Sequence, residues 1–257
     1  MPFAENHGVR IHFEMEGEGP PLVMSHSLSS SLKSWYQLGY VDRLRNDFTI
    51  ILMDARGHGQ SDKPHDTAAY TGEQRAGDVT AVLDSLNIRK AHFLGYSYGG
   101  RVGYELAIWS PNRFFTLIIG AGLYGPSDPK DVKKRLAQLA LGPDAIVAKF
   151  KKNMGSMPVE LEATVRGNDY EALKAIAIAL ADAPELTNEL SSVEIPILLY
   201  IGENDHFFPA VQTASKLLPN AELVIFPGLN HLQVQEQPDL VLPRVREFIA
   251  RQAEQTH

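Results

Sequence analysis

Short hydrophobic runs alternate along the chain with longer segments in which hydrophobic residues recur at helical spacing. The first run, from Val9 to Met15, is hydrophobic at every second position, which is the period of a half-buried strand. The later runs are more continuously hydrophobic, as expected for parallel strands covered on both faces. They span residues 21–24, 48–53, 91–94, 114–119, 195–201 and 222–226. We predict that these runs are the strands of one sheet.

Helices are predicted between most of these strands. Thr71 and Gln74 form a capping-box pattern, which predicts that a helix begins there. Val79, Val82 and Leu86 then recur on one face of that helix. Strands that alternate with helices in this way predict an α/β fold, with a mostly parallel twisted sheet and helices on both faces.

The alternation stops between residues 123 and 190, where the pattern indicates successive helices and no strand. The helices predicted there are Pro129 to Leu141, Asp144 to Lys152 and Asp169 to Ala183, with prolines between them. Strands and helices alternate again from Ile195 onward. We therefore expect a core of residues 1–122 and 191–257, with residues 123–190 forming a small helical cap.

Composition narrows the classes of function. The 257 residues are 44% hydrophobic and 21% charged, which is typical of a globular protein. A net charge of -7 argues against nucleic acid or an anionic membrane as partner. The absence of cysteine excludes disulfides, thiolate metal sites and a cysteine nucleophile. With no secretory signal and no membrane-spanning run, we expect a cytoplasmic protein. We expect it to be a monomer or a homodimer.

The segment that carries the clearest chemical signal is Gly-Tyr-Ser-Tyr-Gly, with Ser97 at its centre. It stands between a predicted strand and a helical pattern, so the chain must turn sharply there. Gly95 and Gly99 suit such a turn, because neighbouring backbone comes too close for a side chain. The turn would expose the Ser97 hydroxyl above the strand end. Ser97 is therefore a candidate nucleophile, and the alternative is a glycine-rich turn without chemistry.

A serine hydroxyl needs a base to take its proton and a carboxylate to orient that base. Asp205 and His231 follow the last two predicted strands, whose carboxyl ends meet at one edge of a parallel sheet. The order Ser97, Asp205, His231 is the one expected after a turn of this kind. Glu203 remains the alternative to Asp205, and His206 is predicted to be a wall residue.

An acyl intermediate also needs two donors for its oxyanion. We predict the N–H groups of Tyr98 and Leu28, with Ser27 as the alternative to Leu28. The residues predicted to contact the substrate are Ser27, Tyr96, Tyr124 and Met154. Arg101 and Lys33 could bind a carboxylate or be solvated. No metal or cofactor is expected, because no histidine pair or carboxylate cluster has the spacing of metal ligands.

Four segments of the sequence resemble α/β-hydrolases. They are Gly95–Gly99, Asp54–Ser61, Gly202–Asp205 and Gly228–His231. The resemblance extends over essentially the whole chain and implies the α/β-hydrolase fold, with Ser97, Asp205 and His231 as the triad. A serine at the turn argues against dehalogenase and epoxide hydrolase chemistry. Ser27 stands where many relatives have glycine, which is similar to the 3-oxoadipate enol-lactonase branch.

The combined signals predict a cofactor-independent serine hydrolase that cleaves carboxylic esters, linear or cyclic, through an acyl-enzyme. A dedicated lactonase is the nearest alternative. A carbon–carbon hydrolase or perhydrolase that uses the same triad is a further one. A ligand sensor with little turnover is the alternative from another class, since one fold hosts many functions.

Overall fold

The computed structural model describes residues 2–154, 157 and 159–254, with the backbone alone for residues 149, 150, 153 and 154. Within these residues the chain forms eight strands and twelve α-helices. The strands are β1 Phe3–Asn6, β2 Val9–Glu16, β3 Pro21–Ser25, β4 Thr49–Met53, β5 Ala91–Tyr96, β6 Phe114–Gly120, β7 Ile197–Gly202 and β8 Ala221–Phe226. The helices are α1 Lys33–Gln37, α2 Tyr40–Leu44, α3 Gly72–Ser85, α4 Tyr98–Trp109, α5 Pro129–Ala140, α6 Gly142–Met154, α7 Val159–Gly167, α8 Tyr170–Ala181, α9 Thr187–Leu190, α10 Phe208–Leu217, α11 His231–Gln235 and α12 Pro238–Glu254.

The eight strands form one sheet in the order β1-β2-β4-β3-β5-β6-β7-β8. The strands from β4 to β8 along this order pair in parallel, and β1 and β2 add an antiparallel edge. Every residue of β5 and β7 is buried, as their continuous hydrophobic sequences predicted. The prediction of an α/β fold with a mostly parallel sheet is confirmed.

The register brings the carboxyl ends of the parallel strands to one edge of the sheet. Ser25, at the end of β3, pairs with Gly95 near the end of β5. Gly202, at the end of β7, pairs with Phe226 at the end of β8. The loops that follow these strands therefore emerge on the same side, which is where open α/β sheets bind ligands.

Helices α5 to α9 occupy the chain between β6 and β7, and the described residues of this segment contain no strand. Helices α5 and α8 pack on each other, and α8 packs on a short 3₁₀ helix at Thr67–Tyr70. A hydrophobic cluster separate from the core of the sheet joins Leu139 and Ile176 from these helices to Tyr70 and Tyr98. Helices α5 and α8 thus lie over the edge of the sheet at which Ser97 is found.

Strand β1 and helix α7 are among the elements that were not predicted from the sequence. Strand β1 has four residues at the sheet edge, and only Ala4 among them is buried. Helix α7 buries none of its residues fully. Elements that bury so little give a weak hydrophobic pattern, which explains both omissions. A search of the described residues for helices with the length and hydropathy of a membrane span finds none.

Candidate active site

Ser97 occupies the sharp turn between β5 and α4. Its backbone has φ 55° and ψ -105°, a region that costs a residue with a side chain about 1–3 kcal/mol. The glycines on either side permit the turn. A Cβ on Gly99 would lie 2.0 Å from the carbonyl oxygen of Ser25, and one on Gly95 would lie 2.1 Å from the carbonyl oxygen of Gly99. The backbone packing at the turn therefore requires glycine at both positions.

Gly99→Ala is expected to destabilise the fold by about 3 kcal/mol, because the methyl group overlaps backbone that cannot move aside cheaply. The matched control is Gly167→Ala at the end of α7, where nothing lies within 4 Å of the added Cβ. Urea denaturation measures both. Equal midpoints for the two variants would show that the Ser25 carbonyl does not constrain position 99.

The structure brings Ser97, His231 and Asp205 together, although they are far apart in the sequence. His231 Nε2 lies 3.0 Å from Ser97 Oγ. His231 Nδ1 lies 2.7 Å from Asp205 Oδ2. The second oxygen of Asp205, Oδ1, accepts a hydrogen bond of 2.9 Å from the N–H of Phe207, which fixes the carboxylate orientation. The three side chains form one continuous chain of hydrogen bonds with Ser97 at its end.

His231 is held by local structure that the sequence analysis did not anticipate. It was expected in a loop, but it is the first residue of helix α11. Asn230 and Gln233 form a capping box that starts this helix. The hydroxyl of Tyr96 donates a hydrogen bond of 2.6 Å to the carbonyl oxygen of His231. Tyr96 is fully buried, and burial raises the pKa of its hydroxyl. Its position is beneath His231, not in the cavity wall.

Glu203, the alternative acid, contacts a different partner. Its Oε2 accepts a hydrogen bond of 2.9 Å from the N–H of Gly228. His206 lies beside the hydrogen-bonded chain, with Nδ1 3.3 Å from Asp205 Oδ1. Atoms of Asp205, His206 and His231 that could bind a metal lie within 4.8 Å of one another. A cation there would compete with the short bond between His231 and Asp205, so this cluster is a poor metal centre.

Two backbone N–H groups near Ser97 are free to hold an oxyanion. Tyr98 is the first residue of α4, so its N–H has no acceptor within the helix. Leu28 lies in a turn closed by a hydrogen bond of 3.2 Å from the N–H of Ser30 to the carbonyl of Ser27. Neither N–H has an acceptor among the described residues. The N–H of Gly99 donates to the carbonyl of His26 (3.0 Å), which joins this turn to the start of α4.

Two buried histidines anchor the turn at Leu28. His26 Nε2 accepts a hydrogen bond of 3.1 Å from the N–H of Ala55, and its Nδ1 donates to the carbonyl of Ser27 at 2.8 Å. His58 Nε2 accepts a hydrogen bond of 3.0 Å from the N–H of Ser29. A ring nitrogen that accepts must be unprotonated. Accordingly, burial lowers the pKa of His26 and lowers that of His58 to about 3.

This arrangement predicts a loss of stability in acid. The pKa of His58 falls from 6.5 to about 3 on folding, so the unfolded chain binds more protons between these values. The contribution of His58 to stability is complete above pH 6.5 and is lost as the pH falls towards 3. His58→Gln removes the titration and keeps an acceptor for the N–H of Ser29. Urea denaturation at about pH 7 and about pH 5 should show the stability gap between wild type and variant narrowing in acid. A constant gap would contradict the neutral-histidine arrangement.

A cavity of about 790 Å³ opens at the hydroxyl of Ser97, within the range of small-molecule sites. Its walls include both Leu28 and Tyr98, together with side chains from α5 and α8. The residues that line it are Leu28, Ser97, Tyr98, Arg101, Leu123, Pro126, Ser127, Asp128, Asp131, Val132, Lys134, Arg135, Gln138, Ala177, Leu180, His206, Phe207 and His231. The cavity thus places the predicted nucleophile, base and oxyanion donors around one space.

Most of the predicted substrate contacts lie elsewhere. The Ser27 hydroxyl donates a hydrogen bond of 3.1 Å to Gln235 Oε1, and the Tyr124 ring packs 5.8 Å from that of Tyr104. Neither lines the cavity. The side chain of Met154 lies outside the described residues. Lys33 binds Glu14 at 2.7 Å and is also absent from the cavity wall. These positions depend on side-chain direction, which one-dimensional spacing does not specify.

Comparison with known proteins identifies the family of the chain. The model of the alpha/beta hydrolase family matches residues 22–244. The chain is 30% identical to 3-oxoadipate enol-lactonase 2 of Acinetobacter baylyi, over 74% of this chain and 73% of that protein. It is similar to the crystal structure of a hydrolase from Pseudomonas aeruginosa, with a TM-score of 0.85 and 26% identity, covering 96% of this chain and 97% of the other. The enol-lactonase structure from Burkholderia xenovorans gives a TM-score of 0.84 and 25% identity, covering 97% and 100%. The chain is a member of the alpha/beta hydrolase family.

Proposed function

We propose that the protein is a serine hydrolase that cleaves carboxylic esters through an acyl-enzyme. The observation that carries this proposal is the chain of hydrogen bonds from Ser97 Oγ to His231 Nε2 (3.0 Å) and from His231 Nδ1 to Asp205 Oδ2 (2.7 Å). A serine linked in this way to a base and an orienting carboxylate has the arrangement needed for nucleophilic catalysis.

In the proposed first half-reaction, Ser97 Oγ attacks the ester carbonyl carbon while His231 Nε2 takes the hydroxyl proton. Asp205 keeps the remaining ring proton on Nδ1 and stabilises the imidazolium that forms. The carbonyl oxygen becomes an oxyanion, which accepts hydrogen bonds from the N–H groups of Leu28 and Tyr98. The bond to the alcohol oxygen then breaks, and His231 gives its proton to the departing alcohol.

In the second half-reaction, a water molecule attacks the acyl carbon of the ester on Ser97. His231 takes a proton from that water, and the same two N–H groups hold the second oxyanion. The bond between the acyl carbon and Ser97 Oγ breaks, the proton returns to the serine, and the carboxylic acid leaves. The net reaction consumes one ester and one water and needs no cofactor.

We also propose that residues 123–190 act as a cap on a core of residues 1–122 and 191–257. Side chains of α5 and α8, among them Val132 and Leu180, line the same cavity as Ser97, which supports this role. A cap in this position would exclude bulk water and limit the size of the acyl or alcohol group.

The proposal is tested by incubating the purified protein with p-nitrophenyl esters of increasing acyl-chain length. We expect multiple turnovers with at least the short esters, and an initial burst of nitrophenol if release of the acyl group is slow. Heat-denatured protein is the control for spontaneous hydrolysis. Binding of the esters without turnover across the whole panel would contradict the proposed activity and favour a ligand-sensing role.

A lactonase is the second candidate, because two of the similar proteins reported above are named enol-lactonases. A lactone is a cyclic ester, so the same attack by Ser97 would open the ring, and the alcohol would stay attached to the acyl chain. Comparing kcat/KM for matched lactones and linear esters on one preparation separates the two activities. A strong preference for the cyclic substrates would identify a lactonase.

A further inference from the structure

Three cationic side chains line the cavity at Ser97, and their surroundings differ. Arg101 is buried, and its guanidinium is already bound. Its Nε lies 3.2 Å from Glu105 Oε1, and its Nη1 donates a hydrogen bond of 2.7 Å to the carbonyl of Gly125. Lys134 and Arg135 are both exposed, but Lys134 lines this cavity alone, whereas Arg135 also lines a second one. Arg135, one residue further along the helix, is the cation whose position calls for a ligand.

The guanidinium of Arg135 makes no hydrogen bond or ion pair with any residue that the structure describes. Surrounding protein lowers its pKa, and the carboxylate of Asp131, one helical turn earlier, acts in the opposite direction. Arg135 is exposed and lines the cavity, so a ligand in the cavity can reach it. A guanidinium at the wall of a cavity, with no ion pair among the described residues, can form two parallel hydrogen bonds with an anion that enters that cavity.

Arg135 also lies at the junction of two cavities. Together with Gln138 it lines a second cavity of about 300 Å³, formed between α5, α6, α7 and α8. The other walls of that cavity are mostly hydrophobic and include Leu139, Ile146 and Leu173. An anionic group is therefore favoured at the junction, where the N–H donors of Arg135 and Gln138 are found, and not deeper in the second cavity.

We propose that the substrate carries a carboxylate, separate from the ester that is cleaved, and that Arg135 binds this carboxylate with the assistance of Gln138. The inference rests on the proposed ester hydrolysis at Ser97. A planar guanidinium matches a carboxylate through two parallel hydrogen bonds, whereas a neutral ester leaves the charge of Arg135 without a partner.

The charges around the cavity nearly cancel, so selectivity for a carboxylate must come from the position of Arg135. Asp128 and Asp131 line the cavity and offset the charges of Lys134 and Arg135. The cavity as a whole therefore attracts anions only weakly, and substrates with several negative charges would meet these two carboxylates. The site accordingly suits one carboxylate placed at the guanidinium, as in the half-ester of a dicarboxylic acid.

Two matched pairs of esters test the proposal and locate the carboxylate. Monoethyl glutarate is compared with ethyl 5-methylhexanoate, in which an isopropyl group replaces the carboxylate on the acyl side. Similarly, 3-acetoxypropanoate is compared with 3-methylbutyl acetate for a carboxylate on the alcohol side. The expected result is a higher kcat/KM for the acidic member of at least one pair, and the pair concerned shows which side of the ester faces Arg135.

Substitution then tests the residue. Arg135→Gln should lower the acidic-to-neutral ratio of kcat/KM by about 10- to 100-fold, the contribution of a charged hydrogen-bonded pair. Arg135→Lys should restore part of the ratio. The matched control is Lys133→Gln, which removes the same charge from the same helix at a position outside the cavity wall, and should leave the ratio unchanged. An equal effect of Arg135→Gln and Lys133→Gln would overturn the proposal.

A binding measurement separates failure of this proposal from failure of ester hydrolysis. Glutarate should bind the Ser97→Ala protein in calorimetry, and binding should be lost on combining this change with Arg135→Gln. If no ester is cleaved but glutarate binding depends on Arg135, the carboxylate site stands and the hydrolase proposal fails. If esters are cleaved while neither the ratio nor glutarate binding depends on Arg135, the carboxylate site is refuted and the hydrolase proposal stands.

Discussion

Replacing Ser97 with alanine is expected to lower kcat for ester hydrolysis by about 10⁶-fold, as in enzymes in which a comparable serine is the nucleophile. The hydroxyl is the end of the chain of hydrogen bonds through His231, and without it no acyl-enzyme can form. The substitution removes one oxygen atom and keeps the small side chain, so the sharp turn and the fold should survive. Initial-rate kinetics with p-nitrophenyl acetate measure the effect.

The matched control is Ser127→Ala. Ser127 lines the same cavity, but among the described residues no hydrogen bond joins it to His231. The kcat of Ser127→Ala should stay within a few-fold of wild type, because the Ser127 hydroxyl takes no part in the proton transfer. A Ser97→Ala protein that is folded by circular dichroism and still hydrolyses esters at a comparable rate would contradict the assignment of the nucleophile.

Replacing Asp205 with asparagine is expected to lower kcat by about 10⁴-fold, because the hydrogen bonds at this site would turn the amide nitrogen of asparagine towards His231. Asp205 Oδ1 accepts from the N–H of Phe207, and Oδ2 accepts from His231 Nδ1. The carbonyl oxygen of asparagine would keep the bond to Phe207, so its amide nitrogen would face His231. That nitrogen donates a hydrogen bond to Nδ1, so the ring proton of the neutral histidine is on Nε2. A protonated Nε2 cannot accept the proton of Ser97.

The matched control is Glu203→Gln, at the carboxylate that the sequence left as an alternative. Glu203 Oε2 accepts from the N–H of Gly228, and glutamine retains an oxygen for this bond. Its kcat should therefore remain near that of wild type. A large loss in Glu203→Gln together with a small loss in Asp205→Asn would transfer the orienting role to Glu203.

The parts of the site that follow from strand order were predictable from the sequence. Ser97, Asp205 and His231 each follow a hydrophobic run, and parallel strands bring such positions to one edge. The glycines of the turn were also predictable, because a strand that is followed at once by a helix needs a sharp turn, although the contact of Gly99 with the Ser25 carbonyl of the neighbouring strand was not. A prediction of this kind needs only the order of the strands and the conformation of a few residues.

The features set by tertiary side-chain packing could not be predicted. Tyr96 adjoins Ser97 in the sequence, yet its hydroxyl reaches the carbonyl of His231 below the cavity. Arg135 sits in a helix with several other cations, and its sequence context does not distinguish it from Lys133, which lies outside the cavity wall. Only the packing of α5 over the sheet edge separates the two, and that packing depends on residues distant in the chain.

The central claim is that His231 activates Ser97 to form a covalent acyl-enzyme. Peptide mapping by mass spectrometry after treatment with a fluorophosphonate tests it most directly, because the reagent marks an activated serine. The expected result is one adduct on the peptide that contains Ser97, and strongly reduced labelling in a folded His231→Ala variant. An unmodified Ser97 in a protein that hydrolyses esters, or equal labelling without His231, would contradict the claim.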